Sequence, residues 1–161
     1  MHLGEASIEM DITDKSDIQN SIISVIGNCL QILRAAKELR YFTEEDTKVK
    51  LVLPFVKVFG WDPLNPQDVE LEASFYDSEI GKTSVVDCVL WNGDKRHIFL
   101  EIKSLNRRLP NPESNEKARL MLRYAKKNDV SYVIFTNFLG MEIYDPTGIF
   151  ICNYANPSHY L

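Results

Sequence analysis

The first patterned stretch of the chain places apolar residues three and four positions apart, from residue 17 to about residue 40. The apolar positions are Ile18, Ile22, Val25, Ile26, Cys29, Leu33 and Ala36. Spacing of this kind puts the apolar side chains on one stripe of a helix. The pattern therefore predicts an amphipathic helix, and the polar residues 1–15 before it are predicted to be loose.

A second helix is predicted from Thr43 to Phe59. Thr43 and Asp46 are three residues apart, a spacing typical of a capped helix N-terminus. Pro54 is expected to kink this helix or to limit its length, because proline lacks an amide hydrogen. Gly60 is the expected stop, since glycine adopts the left-handed conformation common after a helix end.

Beyond a turn at residues 62–66 the apolar residues alternate with polar ones, as in strands. Strands are predicted at residues 69–75, 83–91, 97–103, 132–137, 141–144 and 149–154. The second and third are expected to form a hairpin around Asn92-Gly93. An exposed loop at residues 104–114 and a helix at residues 115–127 follow. The uninterrupted apolar run at residues 132–137 is typical of a central strand.

This order of elements predicts the fold class. It indicates an α/β domain with a mixed β-sheet flanked by helices and an additional N-terminal helix. At 161 residues the chain is predicted to be a single domain. Within it, residues 1–42 form a tail and helix, and residues 43–154 form the core.

Composition and charge narrow the class of protein. The chain is 45% hydrophobic and 25% charged, which is ordinary for a soluble globular protein. No apolar run approaches the roughly 20 residues of a membrane-spanning helix, so a cytoplasmic protein without membrane contact is expected. The net charge of -5 argues against nonspecific coating of nucleic acid, although it permits a local basic groove. Cys29, Cys88 and Cys152 match no disulfide or zinc spacing and are predicted to be buried thiols.

Three charged residues lie inside strand-like apolar runs. Asp87 interrupts one run, and Glu101 and Lys103 lie two residues apart in the next. Two carboxylates and an ammonium group on one sheet face can hold a divalent cation and activate water for phosphodiester hydrolysis. The spacing also fits a cross-strand salt bridge on a solvated face. The apolar neighbours Val86 and Phe99 favour a cleft.

The hairpin sets a condition on this site. With a two-residue turn at Asn92-Gly93 and regular strands, Asp87 and Glu101 would point to opposite faces of the sheet. A shared metal ion would then be impossible. The metal hypothesis therefore requires an odd-length loop, such as residues 92–94, or a bulge within a strand.

Several motifs occur in a specific order along residues 43–146. They are residues 43–48, 51–55 and 60–62, Asp87 with residues 101–103, and residues 123–125, 135–137 and 143–145. The set resembles the N-terminal nuclease domain of type I restriction enzyme R subunits, which belongs to the PD-(D/E)XK superfamily.

The resemblance implies a restriction-endonuclease-like fold and DNA phosphodiester cleavage with Mg2+, for which Mn2+ can substitute. It implies that Asp87 and Glu101 are the metal ligands and that Lys103 is the catalytic lysine. Glu44 matches an acid on the first core helix, and Glu45 is the alternative for that role.

One position departs from the family pattern. The family usually has a glutamine three residues before the Arg123-Tyr124 pair, and this chain has Leu120. Lys117 or Arg119 could contribute from the same helix, whereas Leu120 itself fits simple core packing. The departure keeps a second hypothesis open: a catalytically impaired DNA-binding or assembly module with the same fold.

Basic residues follow the candidate site in sequence. Arg107, Arg108, Lys117 and Arg119 are the predicted contacts to DNA phosphates, which would hold a duplex without reading its sequence. Lys126 and Lys127 are expected to be solvated, because cations complement the dipole at a helix C-terminus. An RNA substrate stays open as an alternative.

The expected partners follow from the same features. The chain has no complete Gly-x4-Gly-Lys-Ser/Thr phosphate loop, because its Gly81-Lys82-Thr83 triplet has Tyr76 in place of the first glycine. A restriction role would thus need other restriction-system subunits, unless the protein is a free-standing member of the fold. The apolar stripe of the N-terminal helix is expected to pack on the core of its own chain or to pair with a second copy in a homodimer.

Overall fold

A six-stranded mixed sheet forms the centre of the protein, in a computed structural model that describes residues 12–35 and 42–155. The strands are β1 (Val69–Asp77), β2 (Lys82–Asn92), β3 (Lys95–Ile102), β4 (Tyr132–Thr136), β5 (Gly140–Tyr144) and β6 (Phe150–Ala155). They lie side by side in chain order. Only the β3–β4 pair is parallel among these strands, and the others are antiparallel. The predicted central position of β4 is confirmed.

Helices cover both faces of this sheet. They are α1 (Ile12–Ala35), α2 (Glu44–Thr47), a π-helical turn (Lys48–Val52), α3 (Leu53–Val58) and α4 (Glu116–Lys127). Helix α4 makes the crossover between the parallel strands β3 and β4, as such a connection requires. The predicted fold class, a mixed α/β sheet flanked by helices with an additional N-terminal helix, is confirmed and is consistent with a restriction-endonuclease-like fold.

The core consists of two layers, one on each sheet face. On one face, α4 packs through Met121 and Ala125 onto strand residues such as Phe99 and Val133. On the other, the π-helical turn and α3 pack onto the opposite side chains of β2 and β3, including Cys88 and Leu100. Because successive strand residues alternate between faces, strands β1 to β4 contribute to both layers.

Helix α1 packs outside the second layer. Its Cys29 is buried with Phe42, Leu51 and Leu105, so its stripe contacts its own chain. Pairing with a second copy stays a prediction. The helix begins at Ile12, so the prediction that residues 1–15 are loose is wrong for residues 12–15. Residues 1–11 and the predicted helix end near residue 40 lie outside the described part of the chain.

The predicted second helix is continuous from Glu44 to Val58 but changes its winding before Pro54. The Thr43 side chain accepts a hydrogen bond from the Asp46 amide, and the Asp46 carboxylate accepts one from the Thr43 amide, which is the expected capping box. The Leu53 amide donates to the Lys48 carbonyl, five residues back. Since proline can neither donate to the preceding turn nor fit it closely, a widened π turn accommodates the ring. Gly60, at φ 101°, follows the helix end as predicted.

The β2–β3 hairpin differs from the prediction in its turn. Asn92 pairs with Lys95, so the turn residues are Gly93 and Asp94 rather than Asn92 and Gly93. A register shift follows between Leu90 and Trp91, where β3 contains one extra residue. This bulge restores the register that the metal hypothesis requires.

One further feature concerns membranes. Within residues 12–35 and 42–155, no helix combines the length and the apolar character needed to cross a bilayer.

Candidate active site

Glu101 is the buried centre of the candidate site. It lies near the end of β3 and is 1% exposed. Its Oε1 atom accepts hydrogen bonds from Lys103 Nζ at 2.7 Å and from Lys117 Nζ at 2.6 Å. Its Oε2 atom is buried and has no hydrogen-bond partner among the described residues. One oxygen of the carboxylate is therefore shared by two cations, while the other is free to take a ligand.

Asp87 lies beside Glu101 at an irregular point of the sheet. Beyond the bulge, Cys88 pairs with Leu100, which places Asp87 opposite Glu101 in register. Asp87 Oδ2 accepts a hydrogen bond of 2.6 Å from the Ile102 amide. At the end of β3, the Asp87 carboxylate thus accepts the hydrogen bond in place of a backbone carbonyl of the neighbouring strand.

The neighbouring strand β1 is also irregular at the position opposite Asp87. Glu72 of β1, opposite Asp87 in register, has a φ of 53°, and the regular β1–β2 pairing skips it. Val86 and Val89 both pack on the α4 face, whereas strict alternation would separate them. The strands therefore turn locally about Asp87. Because of this local rotation of the strands, the alternation of residues in the sequence could not by itself assign the face to which the Asp87 side chain points.

The neighbourhood of Glu101 perturbs the carboxyl group of Asp87. Burial and the charge of Glu101 raise the pKa of Asp87 to about 6, against the opposing effect of the Ile102 amide. A raised pKa of this kind is characteristic of carboxyl groups placed together for function, although structural clusters show it as well.

Lys103 joins the carboxylates to the first core helix. Its Nζ lies 3.3 Å from both carboxylate oxygens of Glu44 and 3.1 Å from the Ile102 carbonyl oxygen, in addition to its bond with Glu101. Burial alone would lower the pKa of Lys103, but the hydrogen bond to Glu101 and the surrounding acids raise it overall. The ammonium group is therefore held in its charged form.

Glu44 rather than Glu45 points to this site. Glu45 forms an ion pair of 2.8 Å with the buried Lys48, which also pairs with Glu72. Because Glu44 is the first residue after the Thr43 cap, the capping box fixes which of the two adjacent acids reaches Lys103.

The residues present fit a hard divalent cation. Among the described residues, no three His, Cys, Asp or Glu side chains lie together as a metal-binding group. Mg2+ does not need such a group, since it is commonly bound by one or two carboxylates together with waters and substrate phosphates. Asp87 and the free Oε2 of Glu101 supply two carboxylates of this kind.

Helix α4 brings Lys117, not a glutamine, to the carboxylates. Leu120, at the glutamine position of the family pattern, is half-buried and packs against the α4-side core. Lys117 lies one turn earlier and reaches Glu101. The sequence predicted Lys117 as a DNA contact, and its position three residues before Leu120 was the signal for a place near the site.

The other predicted DNA contacts form no ion pair with Glu101 in the described part of the chain. Arg107 and Arg108 are exposed on the loop after β3. Arg107 lines a polar cleft with Glu44, Ser104 and other residues beside the site. Arg119 is exposed and donates to the Glu113 carbonyl oxygen at 3.0 Å.

Two basic residues of α4 have structural partners instead. Arg123 Nε and Lys127 Nζ contact the carboxylate of Asp77, at 2.5 Å and 2.7 Å, and both also pair with Glu79. Lys127 is exposed, as expected, but its ammonium group also pairs with the buried carboxylate at the end of β1, which the sequence did not predict. Lys126 is exposed, as expected.

The cysteine prediction is correct for two of three residues. Cys29 and Cys88 are buried thiols, whereas Cys152 is exposed. Cys152 lies on β6, which forms an edge of the sheet and has no strand beyond it in the described part of the chain.

Comparisons with known proteins add a distant likeness. No protein-family model matches the chain, and no curated protein matches it significantly. It is similar to the fragment structure of a putative HsdR subunit of a type I restriction enzyme from Vibrio vulnificus YJ016, with a TM-score of 0.49 and 22% identity over 71% of this chain. The chain spans 24% of that solved chain. The functional assignment therefore depends on the geometry of the site.

Proposed function

We propose that this protein is a Mg2+-dependent endonuclease domain that hydrolyses DNA phosphodiester bonds. The observation that carries the proposal is the pair of buried carboxylates, Asp87 and Glu101, with Lys103 beside them: within residues 12–35 and 42–155, one oxygen of Glu101 has no hydrogen-bond partner. A buried, unsatisfied carboxylate oxygen is costly unless a ligand completes it. A cation between the two carboxylates supplies such a ligand.

The roles of the residues follow from their contacts. Asp87 and Glu101 would hold Mg2+, which when bound lowers the pKa of a coordinated water and offsets charge on the phosphate. Lys103 is held charged between Glu101 and Glu44, where it can orient the attacking water or a phosphate oxygen. Glu44 is the auxiliary acidic residue: its carboxylate holds the ammonium group of Lys103 in position.

The proposed substrate contacts lie on the loop beside the site. Arg107 and Arg108 are exposed there and can bind backbone phosphates. In a restriction setting the domain would act together with other subunits, as the sequence resemblance implies. An RNA substrate is the alternative outcome of the same chemistry.

A non-cleaving binding or assembly module is the second candidate. The observation in its favour is Leu120, whose packing against the core leaves no amide at the position where the related nucleases usually carry glutamine. In that case the cluster around Glu101 would be a structural ion-pair network.

Plasmid nicking separates the two candidates. We expect supercoiled DNA to be nicked in the presence of Mg2+ and the activity to disappear with EDTA. Lys103→Ala should lose most of the turnover, since transition-state stabilisation by one positioned group is commonly worth about 100-fold or more. Lys126→Ala, an exposed lysine of α4, is the matched control and should retain activity. A folded protein without any metal-dependent nicking of DNA or RNA would support the non-cleaving module.

A further inference from the structure

Lys117 and Lys103 share a single oxygen of Glu101, but they are held very differently. Lys103 also contacts both oxygens of Glu44 and the Ile102 carbonyl, and its side chain is 21% exposed. Lys117 is 46% exposed, and among the described residues its ammonium group contacts Glu101 alone. Lys117 is therefore the more easily displaced of the two cations.

A divalent cation on Glu101 would change this balance. Two ammonium groups already lie within 2.7 Å of Oε1, and added positive charge at the same carboxylate repels both. Lys103 would keep its contacts with Glu44. Lys117 forms an ion pair with no second acid in the described part of the chain, and its flexible, half-exposed side chain can swing toward solvent.

We propose that Lys117 is an exchangeable counter-cation of Glu101, which the metal displaces and which then binds a phosphate of the substrate. This inference depends on the proposed metal-dependent function. In the metal-free protein Lys117 stabilises the buried carboxylate. In the metal-bound protein the same ammonium group lies at the mouth of the site, where a nucleic-acid phosphate must pass.

The family pattern makes this role specific to the chain. The related nucleases usually place an uncharged glutamine on this helix, one turn beyond Lys117, where this chain has Leu120. A glutamine does not compete with a cation for a carboxylate. A lysine does, so metal affinity and substrate binding become coupled through one side chain.

The test is a calorimetric titration of Mg2+ and Mn2+ into the wild type, Lys117→Gln, Lys117→Arg and Lys126→Gln. Removing the competing charge should tighten metal binding by roughly tenfold in Lys117→Gln. Lys117→Arg keeps the charge and should bind metal like the wild type. Lys126→Gln removes an equal charge from the other end of α4 and should also behave like the wild type.

A second measurement tests the phosphate contact. The KM for DNA should rise several-fold in Lys117→Gln, with a smaller effect on kcat, and Lys117→Arg should restore it. Unchanged or weaker metal binding in Lys117→Gln would overturn the inference. Tighter metal binding with an unchanged KM would overturn the phosphate contact.

These outcomes are distinct from failure of the proposed function. That function predicts metal binding by the wild type that is lost in Asp87→Asn. If such binding is present and Lys117→Gln equals the wild type, only the role of Lys117 is wrong. If neither the wild type nor Lys117→Gln binds metal, the metal site itself is wrong.

Discussion

At the scale of single residues, the carboxylate of Asp87 lies where its negative charge destabilises the folded protein. Asp87 is buried beside Glu101, and only the Ile102 amide and the two nearby lysines offset the repulsion. A residue kept there for folding alone would be better replaced by a neutral one. The arrangement is therefore expected to have opposite consequences for stability and for metal binding.

Asp87→Asn tests this expectation through pH. The pKa of Asp87 is about 6 in the folded protein, above the value of about 3.9 for an unfolded chain. Ionisation of Asp87 thus disfavours folding: its contribution to the free energy of unfolding is most favourable below about pH 4 and is lost as the pH rises through about 6. The free energy of unfolding of Asp87→Asn minus that of the wild type should therefore change with pH. In metal-free buffer this difference should be roughly 2 to 3 kcal/mol more favourable to Asp87→Asn at pH 7.5 than at pH 4.

Urea unfolding of both proteins at the two pH values measures this difference. An asparagine can still accept the hydrogen bond from the Ile102 amide, so the backbone contact is retained. Calorimetry should show at the same time that Asp87→Asn no longer binds Mg2+. A variant that is less stable at pH 7.5 and binds metal normally would identify Asp87 as a structural salt-bridge partner.

At the scale of elements, a second charge cluster ties α4 to the end of β1. The side chain of Asp77 is fully buried, and it contacts Arg123 and Lys127 of α4. Tyr124 adds a hydrogen bond of 2.9 Å from its hydroxyl to the Lys82 carbonyl oxygen at the start of β2. Because α4 also carries Lys117, this clamp fixes the helix that supplies part of the site.

Asp77→Asn should lower the melting temperature, since breaking a buried ion pair leaves cations without a partner. The hydrogen bonds from Arg123 and Lys127 hold the pKa of Asp77 well below its usual range. Its stabilising contribution is therefore complete above about pH 4 and is lost as the pH falls further. The difference in Tm from the wild type should be largest at neutral pH and shrink in acid.

Glu79→Gln is the matched control for this clamp. Glu79 pairs with the same two cations, but its side chain is 65% exposed. Exposed ion pairs contribute little to stability, so this variant should melt close to the wild type. If both variants lost the same amount of Tm, the stabilising effect of Asp77 could not be attributed to the burial of its carboxylate.

At the scale of the whole molecule, the net charge of -5 opposes binding to DNA, so the proposed function requires a local basic surface. We propose Arg107 and Arg108, which are exposed on the loop after β3, as this surface. The opposite end of α4 and β3 carries Lys126 and Lys95, the latter paired with Asp129. The molecule thus offers two lysines for comparison that are remote from the site.

The double variant Arg107→Ala/Arg108→Ala should weaken DNA binding and flatten its salt dependence. Each lost phosphate contact changes the slope of log K against log salt by about 0.9, so a change of about 2 is expected. Fluorescence anisotropy with a labelled duplex at several salt concentrations measures the slope. Lys95→Ala/Lys126→Ala carries the same change in net charge, and a similar change of slope in that control would argue against a specific surface.

The sequence by itself determined the local elements and the chemistry they carry. The stripe of α1, the Thr43 cap, the Gly60 stop and the alternation of the strands all depend on residues close together in the chain. Such signals are readable without knowing what packs against them. The same is true of Asp87 and Glu101 as charges inside apolar strands, and of Lys103 directly after β3.

Only the tertiary structure decided how these charges meet. The bulge between Leu90 and Trp91 brings Asp87 into register with Glu101, and α4 adds Lys117, 16 residues further along the chain from Glu101. The burial of Asp77 and the exposure of Cys152 were equally invisible in the sequence. Register, burial and ion pairing between distant residues are fixed by how the elements pack, and a single sequence contains no local signal for that packing.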